Sequence, residues 1–369
     1  MEYRVLGKTG LNVSMLGFGG FHLLEIPVRE AGKLLNAYLD AGGNYVETAA
    51  TYGEGESERK IGQSIMHRRN DFVLVSKTSK RDKAGAAAQI DLTLKNLRTD
   101  QLDGLLLHGI STFDELDQIL APGGAYEAAA AAQQAGKVCF IGISMHGWPG
   151  TLIEALKRAP FAMVMSTINY YDRCNFPEIE STLLPLAKEM GAGVILMKPV
   201  ADGYLHRSAP QAFRYAFSRP VSVVVAGINT EKILRDDLAY AESYTEMTEA
   251  EENALLRDAP ELGDYVCRQC GECACRRGVE IQEVFAAEGC YDRQMARGIV
   301  EGTAEYALME RLRFWFEQKE LGKARYAKIP GGIGACNHCG ECLPQCPYHI
   351  HIPAKLRMAD YKLAGRGIY

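Results

Sequence analysis

In Asn44-Tyr-Val-Glu-Thr-Ala-Ala-Thr-Tyr-Gly53, a short apolar run gives way to a polar loop. The pattern predicts a strand whose end and following loop present the Glu47 carboxylate and the Tyr52 phenol. Lys77 and His108 have the same placement, because each stands at the end of a further apolar run. Residues at the carboxyl ends of neighbouring parallel strands converge in a β/α barrel, so these four side chains predict one proton-transferring site. The alternative is four unrelated polar residues at strand ends.

Strand-like and helix-like segments alternate up to about residue 245. Residues 3–13 have the short apolar runs and the Gly-Lys-Thr-Gly turn of a β-hairpin. Apolar runs then predict strands at 14–20, 44–48, 72–77, 102–107, 138–144, 162–167, 193–198 and 221–227. Amphipathic stretches predict helices at 29–41, 85–97, 124–135, 149–158, 178–190, 209–218 and 230–244.

Eight strands that alternate with helical stretches over this length predict an α/β protein with a (β/α)8 TIM barrel over residues 1–245. Runs such as Gly193-Val-Ile-Leu-Met197 are apolar throughout, as expected when helices cover both faces of a parallel sheet. A doubly wound open sheet is the alternative. Its glycine fingerprint has a spacing that Gly17-Phe-Gly-Gly20 does not match.

The composition is that of an ordinary soluble protein, with 47% hydrophobic residues, 24% charged residues and a net charge of -5 over 369 residues. This balance argues against nucleic acid or an anionic membrane as a partner. No apolar stretch is long enough to span a bilayer, and the first residues do not have the layout of a signal peptide. We therefore expect a cytoplasmic protein of about two domains.

The eleven cysteines are unevenly distributed, because only Cys139 and Cys174 precede residue 267. In a chain without an export signal, clustered cysteines indicate metal ligands rather than disulfides. The sequence thus predicts a second, cysteine-rich and mostly helical domain over residues 246–369, with helices at 248–257 and 304–318.

Two cysteine clusters in this region have the spacing of iron–sulfur ligands. In the second group, two residues separate Cys336 from Cys339 and Cys339 from Cys342, and Cys346 follows after three more residues, directly before Pro347. The same spacing occurs in ferredoxins with two [4Fe-4S] clusters, where the fourth cysteine of each group ligates the other cluster. A structural zinc site is the alternative. In the first group, Cys267, Cys270 and Cys273 have the same spacing, but Cys275 follows after a single residue and Arg276 stands in place of the proline. The expected ligand sets are Cys267, Cys270, Cys273 and Cys346 for one cluster, and Cys275, Cys336, Cys339 and Cys342 for the other. Cys290 is an alternative to Cys275.

Five motifs occur in order along the barrel. They are Tyr3-Arg-Val-Leu-Gly-Lys-Thr-Gly-Leu-Asn-Val-Ser14, Glu47-Thr-Ala-Ala-Thr-Tyr-Gly53, Ser76-Lys77, Leu107-His108 and Gly136-Lys-Val-Cys-Phe-Ile-Gly-Ile-Ser144. Together they resemble the aldo-keto reductases, and the cysteine-rich tail resembles the ferredoxin-like extension of the iron–sulfur subgroup. The resemblance implies an NAD(P)-dependent oxidoreductase that interconverts a small carbonyl compound and its alcohol, with a redox partner for the clusters as a further expectation.

The resemblance also implies roles for the four strand-end residues. Tyr52 gives a proton to the carbonyl oxygen while the reduced nicotinamide delivers a hydride, and Lys77 stabilises the resulting phenolate. His108 orients the carbonyl group, and Glu47 holds Lys77 in place. The family has aspartate at the position of Glu47, so whether the longer side chain reaches Lys77 decides whether the site is competent.

The coenzyme contacts follow the family only in part. The expected contacts are Ser144, Asn169, Lys198, Gly227, Asn229 and Thr230. The turn from Gly227 to Thr230 opens a helix whose free N–H groups suit a phosphate, although Thr230 is equally a plain helix cap. NADP is expected over NAD from the family alone, with Lys232 and Arg235 nearby. Met145, Met165 and Met197 stand where many members have polar or aromatic residues.

Two other functions are compatible with this sequence. The unusual methionines and Glu47 are compatible with an electron-transfer or redox-sensing protein whose barrel is inactive. A non-redox epimerase or lyase would use Tyr52 and Lys77 as acid and base without net reduction.

Overall fold

The computed structural model describes residues 1–146, 148–294 and 318–365. The chain forms two compact units. One unit consists of Met1–Ile168, Glu180–Pro199 and Phe213–Glu246, and the other consists of Asn169–Ile179, Val200–Ala212 and Met247–Tyr369. Except for Gln318, the helix predicted at 304–318 lies outside the described residues.

The first unit begins with an antiparallel hairpin of β1 (Tyr3–Val5) and β2 (Asn12–Ser14). Eight parallel strands then close into a barrel, with β10 hydrogen-bonded to both β3 and β9. These strands are β3 (Leu16–Gly19), β4 (Tyr45–Glu47), β5 (Val73–Thr78), β6 (Leu102–Leu107), β7 (Val138–Ser144), β8 (Met163–Thr167), β9 (Gly193–Met197) and β10 (Val223–Gly227). The closed ring confirms the predicted TIM barrel and excludes the open sheet.

Helices connect the strands and make up the regular structure of the remaining described chain. They are α1 (Val28–Asp40), α2 (Glu56–Ser64), α3 (Lys83–Leu97), α4 (Phe113–Leu120), α5 (Ala125–Gln134), α6 (Gly150–Arg158), α7 (Tyr170–Asn175), α8 (Leu184–Glu189), α9 (Ala209–Phe217), α10 (Glu231–Glu242), α11 (Glu249–Asp258), α12 (Ile281–Asp292), α13 (Lys319–Ala327) and α14 (Ile352–Leu363). The predicted helix at 178–190 begins with a π-helical segment, Ile179–Leu183. In the part of the chain that the structure describes, none of these helices has the length and hydropathy needed to cross a membrane.

The barrel interior is filled by alternate residues of the strands, as the two-residue period of a β-strand requires. Pairs such as Val73 and Val75, or Val223 and Val225, belong to one buried apolar cluster. Leu6 of the amino-terminal hairpin joins this cluster. The hairpin approaches β9 closely, because the Lys8 amide donates to the Gly191 carbonyl at 2.7 Å. The interior is therefore a packed core, and the carboxyl ends of the strands are left to carry polar side chains.

The second unit has its own apolar core, formed mainly by α12 and α14. Val284 and Phe285 of α12 pack with Ile352, Leu356 and Ala359 of α14, and all five are almost completely buried. Several half-buried cysteines pack against the same cluster, namely Cys273, Cys275, Cys336, Cys342 and Cys346. The predicted cysteine-rich region thus has a hydrophobic core of its own.

Candidate functional site

The ammonium of Lys77 lies at the carboxyl end of β5 and makes three polar contacts. It forms an ion pair with the Glu47 carboxylate. It also donates to the Thr48 carbonyl at 3.0 Å and to the Tyr52 hydroxyl at 3.2 Å. Only 1% of Lys77 is exposed. The ammonium is therefore held against the phenol by groups that exclude water.

The position of Glu47 follows from the strand register. Glu47 ends β4 and stands opposite Val75 of β5, two residues before Lys77. It is 3% exposed, so the ion pair is buried on both sides. Burial raises the pKa of the Glu47 carboxyl and lowers the pKa of the Lys77 ammonium, and the opposite charge of the partner counteracts each shift. Each group thus needs the other to remain ionised.

Tyr52 follows β4 in a tight turn, in which its amide donates to the Ala49 carbonyl at 3.0 Å. Its ring meets the Phe21 ring edge to face, with centroids 4.8 Å apart, and the His108 ring at 6.0 Å. The ring is half-buried. These contacts hold the Tyr52 ring in place, with its hydroxyl at Lys77 and part of the residue exposed.

His108 directly follows β6, and its amide donates to the Thr78 carbonyl at 2.8 Å. Nδ1 of its ring lies 3.4 Å from the Thr51 hydroxyl. Burial, assisted by the charges of Lys77 and Arg81, lowers the pKa of His108 to about 3. The imidazole is therefore neutral near pH 7, and it suits hydrogen bonding to a polar substrate atom rather than pairing with an anion.

The four residues singled out in the sequence thus lie together at the carboxyl ends of β4, β5 and β6. Chemically, the arrangement is a phenol beside a fixed ammonium, with a neutral imidazole next to the same ring. A phenolate formed by proton donation is stabilised by such a charge. Their catalytic roles remain the prediction made from the resemblance.

Sequence reasoning missed a second carboxylate, Glu58, on α2. It is completely buried, and it accepts hydrogen bonds from the Ser76 hydroxyl at 2.8 Å and from the Asn96 amide at 3.0 Å. Its charge also favours the ionised form of Lys77. The available signal was the polar Ser76 inside an apolar strand, which indicates a buried polar partner.

The expected coenzyme residues of the first unit lie at three strand ends. Ser144 ends β7, and its hydroxyl accepts a hydrogen bond from the Gly109 amide at 3.0 Å. Lys198 follows β9 in a left-handed conformation, with a φ of 60°. Thr230 is the N-cap of α10 and accepts from the Ile233 amide at 3.1 Å. The prediction that Thr230 caps the helix is therefore confirmed.

The turn before α10 contacts the segment that follows β3. Asn229 donates to the Glu25 carboxylate at 2.6 Å, and a Cβ on Gly227 would lie 2.0 Å from the His22 ring. The buried Oδ1 of Asn229 accepts no hydrogen bond from the described residues, and such an orphaned acceptor suits a hydroxyl or amide of a ligand. Glu25 adds a negative charge that disfavours a phosphate here. Binding of a dinucleotide by this turn stays a prediction from the resemblance.

Asn169, the remaining expected coenzyme residue, and two of the unusual methionines make contacts that stabilise the fold. Asn169 belongs to the second unit, where it caps α7 by accepting from the amides of Tyr171 and Asp172 and donates to the Asp172 carboxylate at 2.9 Å. Met165 and Met197 are part of the barrel core, which explains their apolar character.

Four cysteines of the second unit border one recess. The lining residues include Cys267, Cys270, Cys273 and Cys346, together with Arg268 and Phe285. Cys346 stands 73 positions after Cys273 in the chain, so the fold has brought it to the first cluster. This is the ligand set expected for one of the two [4Fe-4S] clusters.

The other expected set, Cys275, Cys336, Cys339 and Cys342, stays a prediction. Burial raises the pKa of the Cys342 thiol, with smaller contributions from its neighbours Cys336, Cys275 and Cys339. Cys290 lies apart on α12, where it is buried and accepts a hydrogen bond from Arg325 at 3.1 Å. The surroundings of these thiols favour Cys275 over Cys290 as the fourth member of the second set.

Within residues 1–146, 148–294 and 318–365, no three His, Cys, Asp or Glu side chains are arranged to hold a single metal ion. The thiolates of a cubane bind different irons, so they stand farther apart than the ligands of one zinc ion.

The comparisons with known proteins concern mainly the barrel. A model of the aldo/keto reductase family matches residues 15–254. The oxidoreductase YqkF of Bacillus subtilis is 30% identical over 217 residues, covering 56% of this chain and 67% of that protein. L-galactose dehydrogenase of Arabidopsis thaliana is 33% identical over 228 residues, covering 57% and 69%. The holo form of aldo-keto reductase AKR11C1 from Bacillus halodurans has a TM-score of 0.60 at 27% identity, covering 69% of this chain and 94% of that one.

The low pKa of His108 predicts a specific pH dependence of stability. The folded protein binds the imidazole proton only near a pKa of about 3, whereas the unfolded chain binds it at the ordinary value of 6.5. Stability therefore falls as the pH drops from 6.5 towards 3, by up to ~1.4 kcal/mol per pH unit. In His108→Asn this contribution is absent. Urea unfolding of both proteins at about pH 7 and about pH 5 measures the difference, and equal losses in the two would contradict the assignment.

Proposed function

Because this chain belongs to the aldo/keto reductase family, we propose that its barrel interconverts a carbonyl compound and its alcohol with NADPH or NADH. One observation carries the proposal, namely the buried Lys77 ammonium 3.2 Å from the Tyr52 hydroxyl. A fixed charge beside a phenol serves reversible proton transfer, which reduction of a carbonyl requires.

When bound, the coenzyme supplies or accepts the hydride at the carbonyl carbon. Tyr52 donates its hydroxyl proton to the carbonyl oxygen and becomes a phenolate, which Lys77 stabilises across their hydrogen bond. Glu47 keeps Lys77 ionised and in place. The neutral His108 ring hydrogen-bonds the carbonyl oxygen and orients it towards Tyr52. In the oxidation direction, the phenolate takes the alcohol proton back.

The coenzyme would be held by Ser144 and Lys198, and by the turn from Gly227 to Thr230, whereas the side chain of Asn169 is engaged in capping α7. Asn229 Oδ1 is the buried acceptor in this turn that has no donor among the described residues. Lys232 and Arg235, the nearest cations on α10, both pair with Asp236. A 2′-phosphate would compete with that carboxylate, so NADPH and NADH need to be compared directly.

We further propose that residues 246–369 form a domain with two [4Fe-4S] clusters. One is bound by Cys267, Cys270, Cys273 and Cys346, and the other by Cys275, Cys336, Cys339 and Cys342. Such clusters pass single electrons, whereas a hydride carries two, and the sequence has no flavin motif to bridge the difference. A structural role, or exchange with a redox partner, is therefore proposed for them.

Replacing Tyr52 by Phe removes the proposed proton donor and leaves the ring in place. We expect kcat to fall by roughly 10³-fold with the coenzyme Kd unchanged. Screening carbonyl compounds for NAD(P)H oxidation identifies a substrate, and quenching of protein fluorescence gives the Kd. Tyr126→Phe is the matched control, because Tyr126 packs on Phe161 away from this site. Full activity of Tyr52→Phe would refute the donor, and failure of both nucleotides to bind would favour the redox-sensing alternative.

Cys346→Ser is expected to remove one of the two clusters, because serine is a poor substitute for a thiolate on iron. The iron content of anaerobically purified protein should fall by half. Cys290→Ser is the control, and it should keep its iron because Cys290 is proposed to be a buried spare thiol. Unchanged iron in Cys346→Ser would contradict the exchanged ligand set.

A further inference from the structure

Lys355 is a lysine of α14 buried beside the cysteine recess. Only 3% of it is exposed. Its Nζ lies 3.6 Å from the centroid of the Tyr265 ring and 4.9 Å from that of Phe285. No described residue gives this ammonium a hydrogen bond of good geometry, and its ion-pair partner is Glu288 at 3.0 Å. A buried lysine is costly, so an apolar core retains one only with compensation.

The compensation from Glu288 is shared with a second lysine. The carboxylate is completely buried. Its Oε1 accepts from Lys362 at 2.6 Å and from the Tyr265 hydroxyl at 2.6 Å, whereas its Oε2 faces Lys355. Lys362 also pairs with Asp292 at 2.8 Å. Glu288 thus pairs with both lysines, one at each carboxylate oxygen. Burial lowers the pKa of Lys355, and the Glu288 charge opposes this shift and favours the ammonium form.

One aromatic ring separates the Lys355 ammonium from the recess. Phe285 contacts the Lys355 ammonium on one side and lines the cysteine recess on the other. Because the ammonium and the Phe285 ring are both buried, water screens the positive charge little across this ring.

Arg268 is the other cation at the recess, but it has a structural task. Its guanidinium donates to the carbonyls of Leu256, Leu262, Val266 and Gly263. Replacing it would remove these hydrogen bonds and disturb the segment that leads to Cys267. Lys355 makes no comparable backbone contacts, so its charge can be changed separately from the loop.

We propose that Lys355 raises the reduction potential of the cluster held by Cys267, Cys270, Cys273 and Cys346. The inference rests on the proposed cluster. In the step concerned, an external one-electron donor is oxidised, the cluster gains the electron, and no bond or proton changes. The added negative charge is stabilised by the buried ammonium, so the reduced state is favoured.

The test is a redox titration of the anaerobically purified full chain, followed by electron paramagnetic resonance. Lys355→Met is expected to make reduction of this cluster about tenfold less favourable, a shift of about 59 mV to more negative potential. Lys355→Arg keeps the charge and should stay near the wild-type value. Lys362→Met is the matched control, because it also removes a cation from Glu288, but its side chain is 20% exposed and paired with Asp292. Its shift should be clearly smaller.

An unchanged potential in iron-replete Lys355→Met, or equal shifts in the two lysine variants, would overturn the proposal. Should Lys355→Met not retain iron, Lys355→Gln decides, because it removes the charge but keeps a polar side chain, and it should show the same shift to more negative potential. Absence of this cluster from the wild type would refute the proposed ligand set itself, which the Cys346→Ser iron measurement detects independently.

Discussion

The contact between Lys77 and Glu47 is the constraint on which the candidate site depends. Both side chains are almost completely removed from water, and burial alone would neutralise each of them. Their mutual attraction keeps both charged, and it leaves one face of the ammonium for the Tyr52 hydroxyl. The closed barrel makes this possible, because β4 and β5 are hydrogen-bonded neighbours that end together. A site residue on one strand is thus positioned by a residue on the next.

The second unit also has buried charged groups, and they lie near the proposed iron–sulfur centre. Glu288 lies between two lysines inside an apolar core, and four thiols from distant parts of the sequence border one recess. The hydrophobic core of this unit is supplied mainly by α12 and α14, and Cys267 is part of it. Glu288 is a buried ionised group in this core, and such groups cluster at functional sites, which is the basis of the electrostatic role proposed for Lys355.

Much of the fold could be predicted from the sequence, because strands such as β6 and β9 are apolar throughout and their period is unambiguous. Helices α2 and α4 were missed. α2 is short and highly charged, with Glu58 and Lys60 buried through polar contacts that periodicity does not reveal. The residues around Tyr52 could be predicted because strand ends converge. Whether Glu47 reaches Lys77 could not, because one methylene decides it and only the strand register determines its position. The role of Asn169 as a helix cap was not predicted either.

The most direct test of the account compares Glu47→Asp with Glu47→Gln in turnover of a carbonyl substrate, at saturating coenzyme. Gln keeps the length of the side chain and removes its charge, so Lys77 loses the partner that keeps it ionised and placed. We expect kcat of Glu47→Gln to fall by about a hundredfold with coenzyme affinity retained, and Glu47→Asp to lose considerably less. Wild-type turnover in Glu47→Gln would contradict the claim that the buried ion pair activates Tyr52.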